Sequence, residues 1–156
     1  MSETVAPFSL NAIELQRYQP NRYPFLMLDG VTEVTPGVSA KGFKNLTQNE
    51  WFFPQHFPGA PNMPGALQLE ALAQLLTVAI TTLPGLEGKV THALSHSVRF
   101  RREVLPGEVF LMRVDVESWS RGVARGQGIA TVNGEVACEA KMNIAIPEIF
   151  KSFLPG

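Results

Sequence analysis

The stretch WFFPQHFPGAPNMPGALQLEALAQLLTVAITTL, Trp51 to Leu83, decides the fold. Its first part, Trp51 to Met63, is crowded with aromatics and prolines, so local stiffness sets its path rather than a regular ladder. From Pro64 the pattern turns helical. Pro64 suits a first helical position, where its missing N–H is not needed, and Pro84-Gly85 supplies the stop. About 19 residues of helix would form a rod roughly 28 Å long. The rod is apolar nearly all the way round, which predicts a buried central helix. Its length approaches a membrane span, but Gln68, Glu70 and Gln74 sit in its first half and charged, strand-like sequence follows, so the reading is a core helix.

Glu70 is the anomaly on that helix. No Lys or Arg occurs between Trp51 and Glu87 to neutralise it. Either it is hydrogen-bonded to a backbone group or reaches a rim, or it is a carboxyl whose pKa burial raises so that it can exchange a proton. His56, in the stiff loop just ahead, is either structural or its partner.

The chain has 156 residues, enough for one domain with a good core, read as a single domain over 1–156 with tails at 1–8 and 148–156. It is 45% hydrophobic and 17% charged, and its net charge of -1 gives no ground for a nucleic-acid or membrane-surface partner. The single cysteine, Cys138, leaves no internal disulfide and fits a reducing compartment. The start, MSETVAPFSL, lacks a signal-peptide pattern, and the expected location is cytoplasmic.

Outside the central stretch, Asn11 to Tyr18 reads as a short helix with Asn11 and Glu14 at capping-box spacing. Val31–Val34 and Val38–Leu46 read as strands around a Pro36-Gly37 turn. A long strand, Val90 to Val104, ends at Pro106-Gly107. Phe110, Met112, Val114 and Val116 then alternate with Leu111, Arg113, Asp115 and Glu117. Gly122–Val132 leads through Asn133-Gly134, a strong hairpin signal, to a last strand with Val136, Cys138, Ala140, Met142, Ile144 and Ile146 on one face. The fold class is therefore α+β, with about five or six mainly antiparallel strands against one long helix. One helix cannot cover the sheet and its edges, so pairing with a second copy through an edge strand or the helix is expected.

Other chemistries find little support. His92 and His96 share a strand face but lie about 13 Å apart there, too far to share a metal. No serine-nucleophile elbow and no phosphate-binding glycine loop occurs. Arg99, Arg101, Arg102, Arg121 and Arg125 form either a solvated sheet face or a local cationic patch for a phosphorylated carrier or an acidic protein.

The pieces RYPFL (Arg22–Leu26) with Asp29, KNLTQNE (Lys44–Glu50), HFPG (His56–Gly59), MPG (Met63–Gly65), LEALAQ (Leu69–Gln74), VRFRR (Val98–Arg102) and Pro106-Gly107 together make the chain similar to the FabZ-type β-hydroxyacyl-acyl carrier protein dehydratases. The resemblance implies the hot-dog fold, an antiparallel sheet wrapped round one helix, as a homodimer and often a trimer of dimers. It implies conversion of a 3-hydroxyacyl-acyl carrier protein to the trans-2-enoyl thioester and water, in fatty acid or polyketide-type biosynthesis, with no cofactor. It implies that His56 and Glu70 are the catalytic pair, meeting across the dimer interface. Gly65 would offer its backbone N–H to the thioester carbonyl, a role that suits a helix start. The acyl pocket is expected from Trp51, Phe52, Phe53 and Phe57.

The chain departs from the family pattern at Asn21, where His is usual, and at Gly30, where Arg is common. Gln55 replaces a glycine, His96 replaces an Asp, and Thr91 lies near the place of a gating aromatic. Two other readings stay open on the sequence: a hot-dog thioesterase, and a non-catalytic subunit that binds acyl carrier protein.

Overall fold

The computed structural model describes residues 5–156. The central helix, α1, runs over Gly65–Thr81, and twelve of its 17 residues are buried. It is two residues shorter than the sequence suggests. Pro64 is its N-cap, with extended ψ of 136°, and not its first helical residue. At the far end Thr82 closes the helix by donating its hydroxyl to the Val78 carbonyl at 2.9 Å.

Among the described residues, seven antiparallel strands form one sheet: β1 (Phe8–Leu10), β2 (Gly30–Thr35), β3 (Ser39–Asn45), β4 (His92–Phe100), β5 (Val109–Ser120), β6 (Val123–Val132) and β7 (Glu135–Ala145). Their spatial order is β1-β2-β3-β5-β6-β7-β4, so the chain crosses by way of α1 from β3 to the opposite edge. This is the hot-dog arrangement, with one strand more than the expected five or six. The extra strand is β1, which a tail assigned to residues 1–8 overlaps at Phe8. Residues 1–4 of that tail lie outside the described ones. The hairpins follow their turn residues: Asn133-Gly134 and Arg121-Gly122 both have positive φ at the two central positions, as a type I′ turn requires.

A track of small residues lets α1 lie close on the sheet. The inward positions of β6 are Ala124, Gly126, Gly128 and Ala130, all buried. A Cβ at Gly126 would come within 2.7 Å of Leu76 and 2.8 Å of the Asp115 carbonyl oxygen. One at Gly128 would stand 3.1 Å from Leu72. On β3, a Cβ at Gly42 would meet the Gly30 carbonyl at 2.8 Å and Leu75 at 3.1 Å. Leucines from successive turns of the helix thus fill the volume that the sheet leaves empty, and burial of their surface is the main driving force for this layer.

The first and last segments are pinned to this body. The capping box forms as read: Asn11 Oδ1 accepts the Glu14 N–H and Glu14 Oε2 accepts the Asn11 N–H, ahead of a 3-10 turn at Glu14–Arg17. After β7 come a short helix, α2 (Pro147–Phe150), and a 3-10 turn at Lys151–Phe153. Glu148 pairs with Lys89 at 2.7 Å, and Ile149 packs on the core.

Two surfaces are left open. β4 is an edge strand with Leu94 and Phe100 each 49% exposed. On α1 the incompletely buried positions are Gly65, Ala66, Leu69, Glu70 and Ala73, a single stripe at helical spacing. No helix among the described residues is long and apolar enough to cross a membrane.

Candidate active site

The loop that carries His56 is closed on itself. The Asn62 N–H donates to the His56 carbonyl at 2.8 Å, and His56 Nδ1 lies 3.0 Å from the Asn62 carbonyl. Inside this clasp Phe57 and Ala60 exchange a second reciprocal pair of backbone bonds, each 2.9 Å, around Gly59 at φ +77°. A carbonyl can only accept, so Nδ1 must carry the hydrogen, and the Nε2 lone pair is left free. The imidazole also stacks on Phe57, with ring centroids 4.1 Å apart. The His56 ring is therefore fixed in place with Nε2 as its available nitrogen.

The loop is anchored at both ends. At its entry, Lys44 is buried and its ammonium contacts Glu50 at 2.7 Å and Asp29 at 3.2 Å. Asp29 also accepts the Asn45 N–H at 2.6 Å, so three residues of the sequence motifs are tied into one knot. At its exit the Met63 N–H donates to the Val104 carbonyl at 2.7 Å, and Gln68 reaches back to the Met63 carbonyl at 3.1 Å.

The start of α1 follows at once. The Gly65 N–H has no acceptor among the described residues. A Cβ at Gly65 would come within 2.6 Å of the Phe100 ring, so the glycine lets that ring lie close beside a free amide at the positive end of the helix. Glu70 sits one and a half turns on, on the open stripe. Burial pushes its pKa up, against a smaller downward pull from the Gln74 hydrogen bond and from the charge of His96. A carboxyl so placed favours its protonated form and can act as an acid.

Gln74 is the residue the sequence reading missed. Its Nε2 donates to Glu70 Oε1 at 2.9 Å and to the Phe25 carbonyl at 2.9 Å, while its Oε1 accepts the Met27 N–H at 2.8 Å. Its i+4 spacing from Glu70 was the available signal. Asn62 was missed too, because a backbone clasp leaves no mark in residue type.

Other expected site residues are dispersed. Within one chain no hydrogen bond joins His56 to Glu70: the first is committed to Asn62, the second to Gln74. Phe52 and Phe53 are core side chains, 1% and 3% exposed. Phe53 and Phe57 share an open groove of about 460 Å³ with Pro54 and Pro61. Trp51 lies outside it and donates Nε1–H to the Pro24 carbonyl at 3.1 Å. The five arginines do not form one cluster. Arg99 and Arg101 line an outer groove of the sheet with Arg113 and Lys141. Arg121 is in the β5–β6 turn and Arg125 stands on β6 opposite Asn143. Arg102 is bound to Glu108 and to the Val132 carbonyl.

The departures find local reasons in part. A Cβ at Gly30 would strike the Phe43 ring at 2.8 Å. Asn21 bonds to Gln19 through both its backbone and its amide. The Thr91 hydroxyl pairs with that of Thr77 on α1 at 2.7 Å.

The family model of the FabA-like domain matches residues 19–141. Curated relatives include a 3-hydroxyacyl-[acyl-carrier-protein] dehydratase FabZ of Clostridium novyi, 42% identical over 139 residues, covering 88% of this chain and 98% of that protein. The FabZ of Bacillus subtilis is 41% identical over 140 residues, covering 89% and 99%. Among solved structures, the dehydratase heterocomplex ApeI:P from Xenorhabdus doucetiae superposes with a TM-score of 0.74 at 18% identity, covering 85% of this chain and 90% of that one. A hypothetical thioesterase with coenzyme A from Streptococcus pneumoniae gives a TM-score of 0.55 at 11% identity, covering 71% and 80%. At such identities these two likenesses speak for the fold alone.

Proposed function

The chain belongs to the FabA-like domain family and, within it, to the FabZ-type 3-hydroxyacyl-acyl carrier protein dehydratases; from that premise we propose that His56 of one copy and Glu70 of a second copy carry out the dehydration. The enzyme is a hydro-lyase of fatty acid biosynthesis or a related acyl-chain pathway, and its substrate is linked to acyl carrier protein. One observation carries the assignment of roles. A histidine whose Nδ1 is spent on the Asn62 carbonyl and a carboxyl whose pKa burial raises form a matched base and acid, and neither is completed within its own chain.

In this mechanism His56 Nε2 takes the proton from the carbon next to the thioester carbonyl. Charge that develops on the carbonyl oxygen is held by the free Gly65 amide at the positive end of α1. Glu70 gives its proton to the departing 3-hydroxyl, and the products are a trans-2-enoyl thioester and water. Trp51, Phe53 and Phe57 flank the acyl chain in the assembly, with Phe52 beneath them in the core.

The support for two copies is physical. β4 presents an unpaired edge of nine residues, and the stripe through Leu69, Glu70 and Ala73 is uncovered on the helix beside it. Antiparallel pairing of two β4 edges about a twofold axis extends the sheet and brings the His56 loop of each copy to the helix of the other. Three such pairs form the larger assembly that the family pattern implies. Of the exposed arginines Arg99, Arg101, Arg121 and Arg125, only Arg101 is ion-paired among the described residues, which leaves Arg99, Arg121 and Arg125 as the cations for the acidic carrier. We place the reaction in the cytoplasm, for which the support is that the chain's one cysteine, Cys138, is a free thiol, as fits a reducing compartment.

The test is the absorbance of the enoyl thioester formed from a 3-hydroxyacyl-carrier substrate. His56→Ala and Glu70→Gln should each lower turnover by about 10²- to 10⁴-fold with the oligomer intact. Near-native dehydration by either variant would overturn the roles. Release of free thiol in place of enoyl product would favour the thioesterase chemistry.

A further inference from the structure

A polar side chain interrupts the buried leucine row of α1. Leu72 and Leu75 fill the space over Gly128 and Gly42, and Gln68 stands one turn ahead of them on the same side, only 4% exposed. Its Nε2 donates to the Met63 carbonyl at 3.1 Å. Its Oε1 is shut off from solvent and accepts no hydrogen bond among the described residues. Turned over, the amide would set oxygen against oxygen, so the Met63 carbonyl fixes which end faces it. A buried acceptor without a donor costs stability, and an apolar side chain at this place would avoid that cost. The amide needs another reason, and the reason lies at the Met63 carbonyl.

That carbonyl belongs to the peptide before Pro64, and the next peptide carries the Gly65 N–H. Gln68 grips both. Its backbone N–H donates to the Pro64 carbonyl at 3.0 Å, beside the Leu67 N–H at 2.9 Å, while its side chain holds the Met63 carbonyl, which has no other donor among the described residues. Between the two peptides the proline ring fixes φ, here -53°, so little freedom is left between them. The Pro64–Gly65 bond is trans, and in a trans peptide the N–H points opposite to the carbonyl. With the Pro64 carbonyl drawn toward the helix, the Gly65 N–H is aimed away from it, out past the first turn. Gly65 is half-buried there beside the Phe100 ring.

We propose that Gln68 is a positioning residue for the dehydration: by clamping the peptides on either side of Pro64, it aims the Gly65 N–H at the oxygen of the thioester carbonyl. Gln68 touches no reacting atom. Its hydrogen bond to Met63 sets the direction of a second hydrogen bond, the one that strengthens as the carbonyl oxygen gains charge. This rests on the reading of Gly65 as the donor to that oxygen.

The experiment reads the carbonyl itself. Butanoyl-pantetheine labelled with ¹³C at the thioester carbonyl lacks the 3-hydroxyl, so it binds without reacting. Isotope-edited infrared spectroscopy records its carbonyl stretch on the intact oligomer of wild type and of Gln68→Met, with steady-state kinetics and thermal melts measured beside it. On wild type the stretch should lie below that of the free thioester, and in the variant most of this shift should be lost. The kcat for a 3-hydroxyacyl substrate should fall about 10- to 10²-fold with KM little changed. The melt should stay near wild type, because an unpaired Met63 carbonyl takes the place of the unpaired Oε1. A Gln68 that only held the fold together would do the reverse, lowering the melt and leaving the bound carbonyl alone. A full shift in the variant overturns the proposal whatever happens to kcat, and Gln68→Leu decides in the same way if the methionine variant does not fold. If wild type itself shows no shift, the assignment of Gly65 falls first and takes this inference with it.

Discussion

Gln74 donates to Glu70 at 2.9 Å across one turn of α1, and the oxygen of the same amide accepts the Met27 N–H at 2.8 Å. The Met27 donor fixes which end of the amide is the oxygen, so the Nε2 end must face Glu70. The motif RYPFL at Arg22–Leu26 is thereby explained without touching substrate. It leads the chain past the helix so that backbone groups of Phe25 and Met27 hold Gln74, and Gln74 holds one carboxyl oxygen, leaving the other free for the proton.

Replacing Gln74 by Leu should separate orientation from chemistry. The buried Met27 N–H and Phe25 carbonyl would lose partners, at a cost of about 1–3 kcal/mol each in stability. The carboxyl would also be free to turn, and misplacement of a reacting group costs about 10²-fold in rate. Loss of kcat with little change in KM is the expected pattern, from steady-state kinetics at a temperature where the variant is folded. A variant with unchanged kcat would show that Glu70 needs no such support.

Mixing inactive variants tests the two-copy site. If His56 and Glu70 act across the interface, random exchange between His56→Ala and Glu70→Gln copies makes half of the dimers mixed. Each mixed dimer has one intact site of two, so activity should return to about a quarter of wild type. Absence of recovery after subunit exchange, shown by mass-tagged copies, would place both residues of each site on one chain.

Much of this was legible beforehand, and the reasons differ by element. The helix announced itself because Gly65–Thr81 is apolar on nearly every face, which only burial explains. The hairpins were legible at Asn133-Gly134 because its residues admit positive φ, whereas Arg121 adopts φ +52° without that signature. His56 and Glu70 stood out as polar groups in apolar surroundings. Gln74 and Asn62 did not, because their roles depend on what faces them: a carboxyl one turn back and an imidazole six residues back. β1 was hidden by its length of three residues, too short for a period to show. The spread of the arginines was hidden too, since only register tells that Arg99 lies opposite Glu139 and Arg125 opposite Asn143.

Glu70 should make the protein less stable as pH rises. Its native pKa lies above the unfolded value of 4.5 because burial disfavours the charged form. Between 4.5 and the native pKa the unfolded chain has released the proton that the folded one keeps, so stability falls across that window and levels off above it. Glu70→Gln removes this dependence. Denaturant midpoints should therefore show the variant gaining on wild type as pH increases from 4.5 toward neutrality, and equal pH slopes would mean that Glu70 is not shifted.

The small-residue track makes a sharper stability prediction than the leucines do. Gly126→Ala puts a methyl 2.7 Å from Leu76 and 2.8 Å from a backbone oxygen of β5, and the oxygen cannot move without breaking the ladder. Overpacking of this kind costs about 1–3 kcal/mol. Gly85→Ala, with no heavy atom within 4 Å of the added carbon but φ of +82°, should lose only the smaller cost of backbone strain. Thermal melts that rank the two the other way round would contradict close packing of α1 on β6.

Carrier recognition can be separated from acyl chemistry by charge. Arg101 is paired with Glu139 at 3.0 Å and Arg102 with Glu108, whereas Arg99, Arg121 and Arg125 form no ion pair among the described residues. An exposed cation at the rim of an interface acts mainly on encounter, through long-range attraction that salt screens. Arg125→Glu should therefore raise KM for carrier-linked substrate by about five- to tenfold at low salt, with the difference shrinking as salt is added. The same substitution should leave turnover of a pantetheine thioester unchanged, because that substrate lacks the acidic protein surface. Arg102→Glu is the contrasting case: it sets two carboxylates against each other at Glu108 and should lower stability before it alters carrier use. Equal loss on both substrates in the Arg125 variant would mean that Arg125 serves the fold or the chemistry and not the carrier, and an unchanged KM for the carrier-linked substrate would mean that the carrier docks on another face of the sheet.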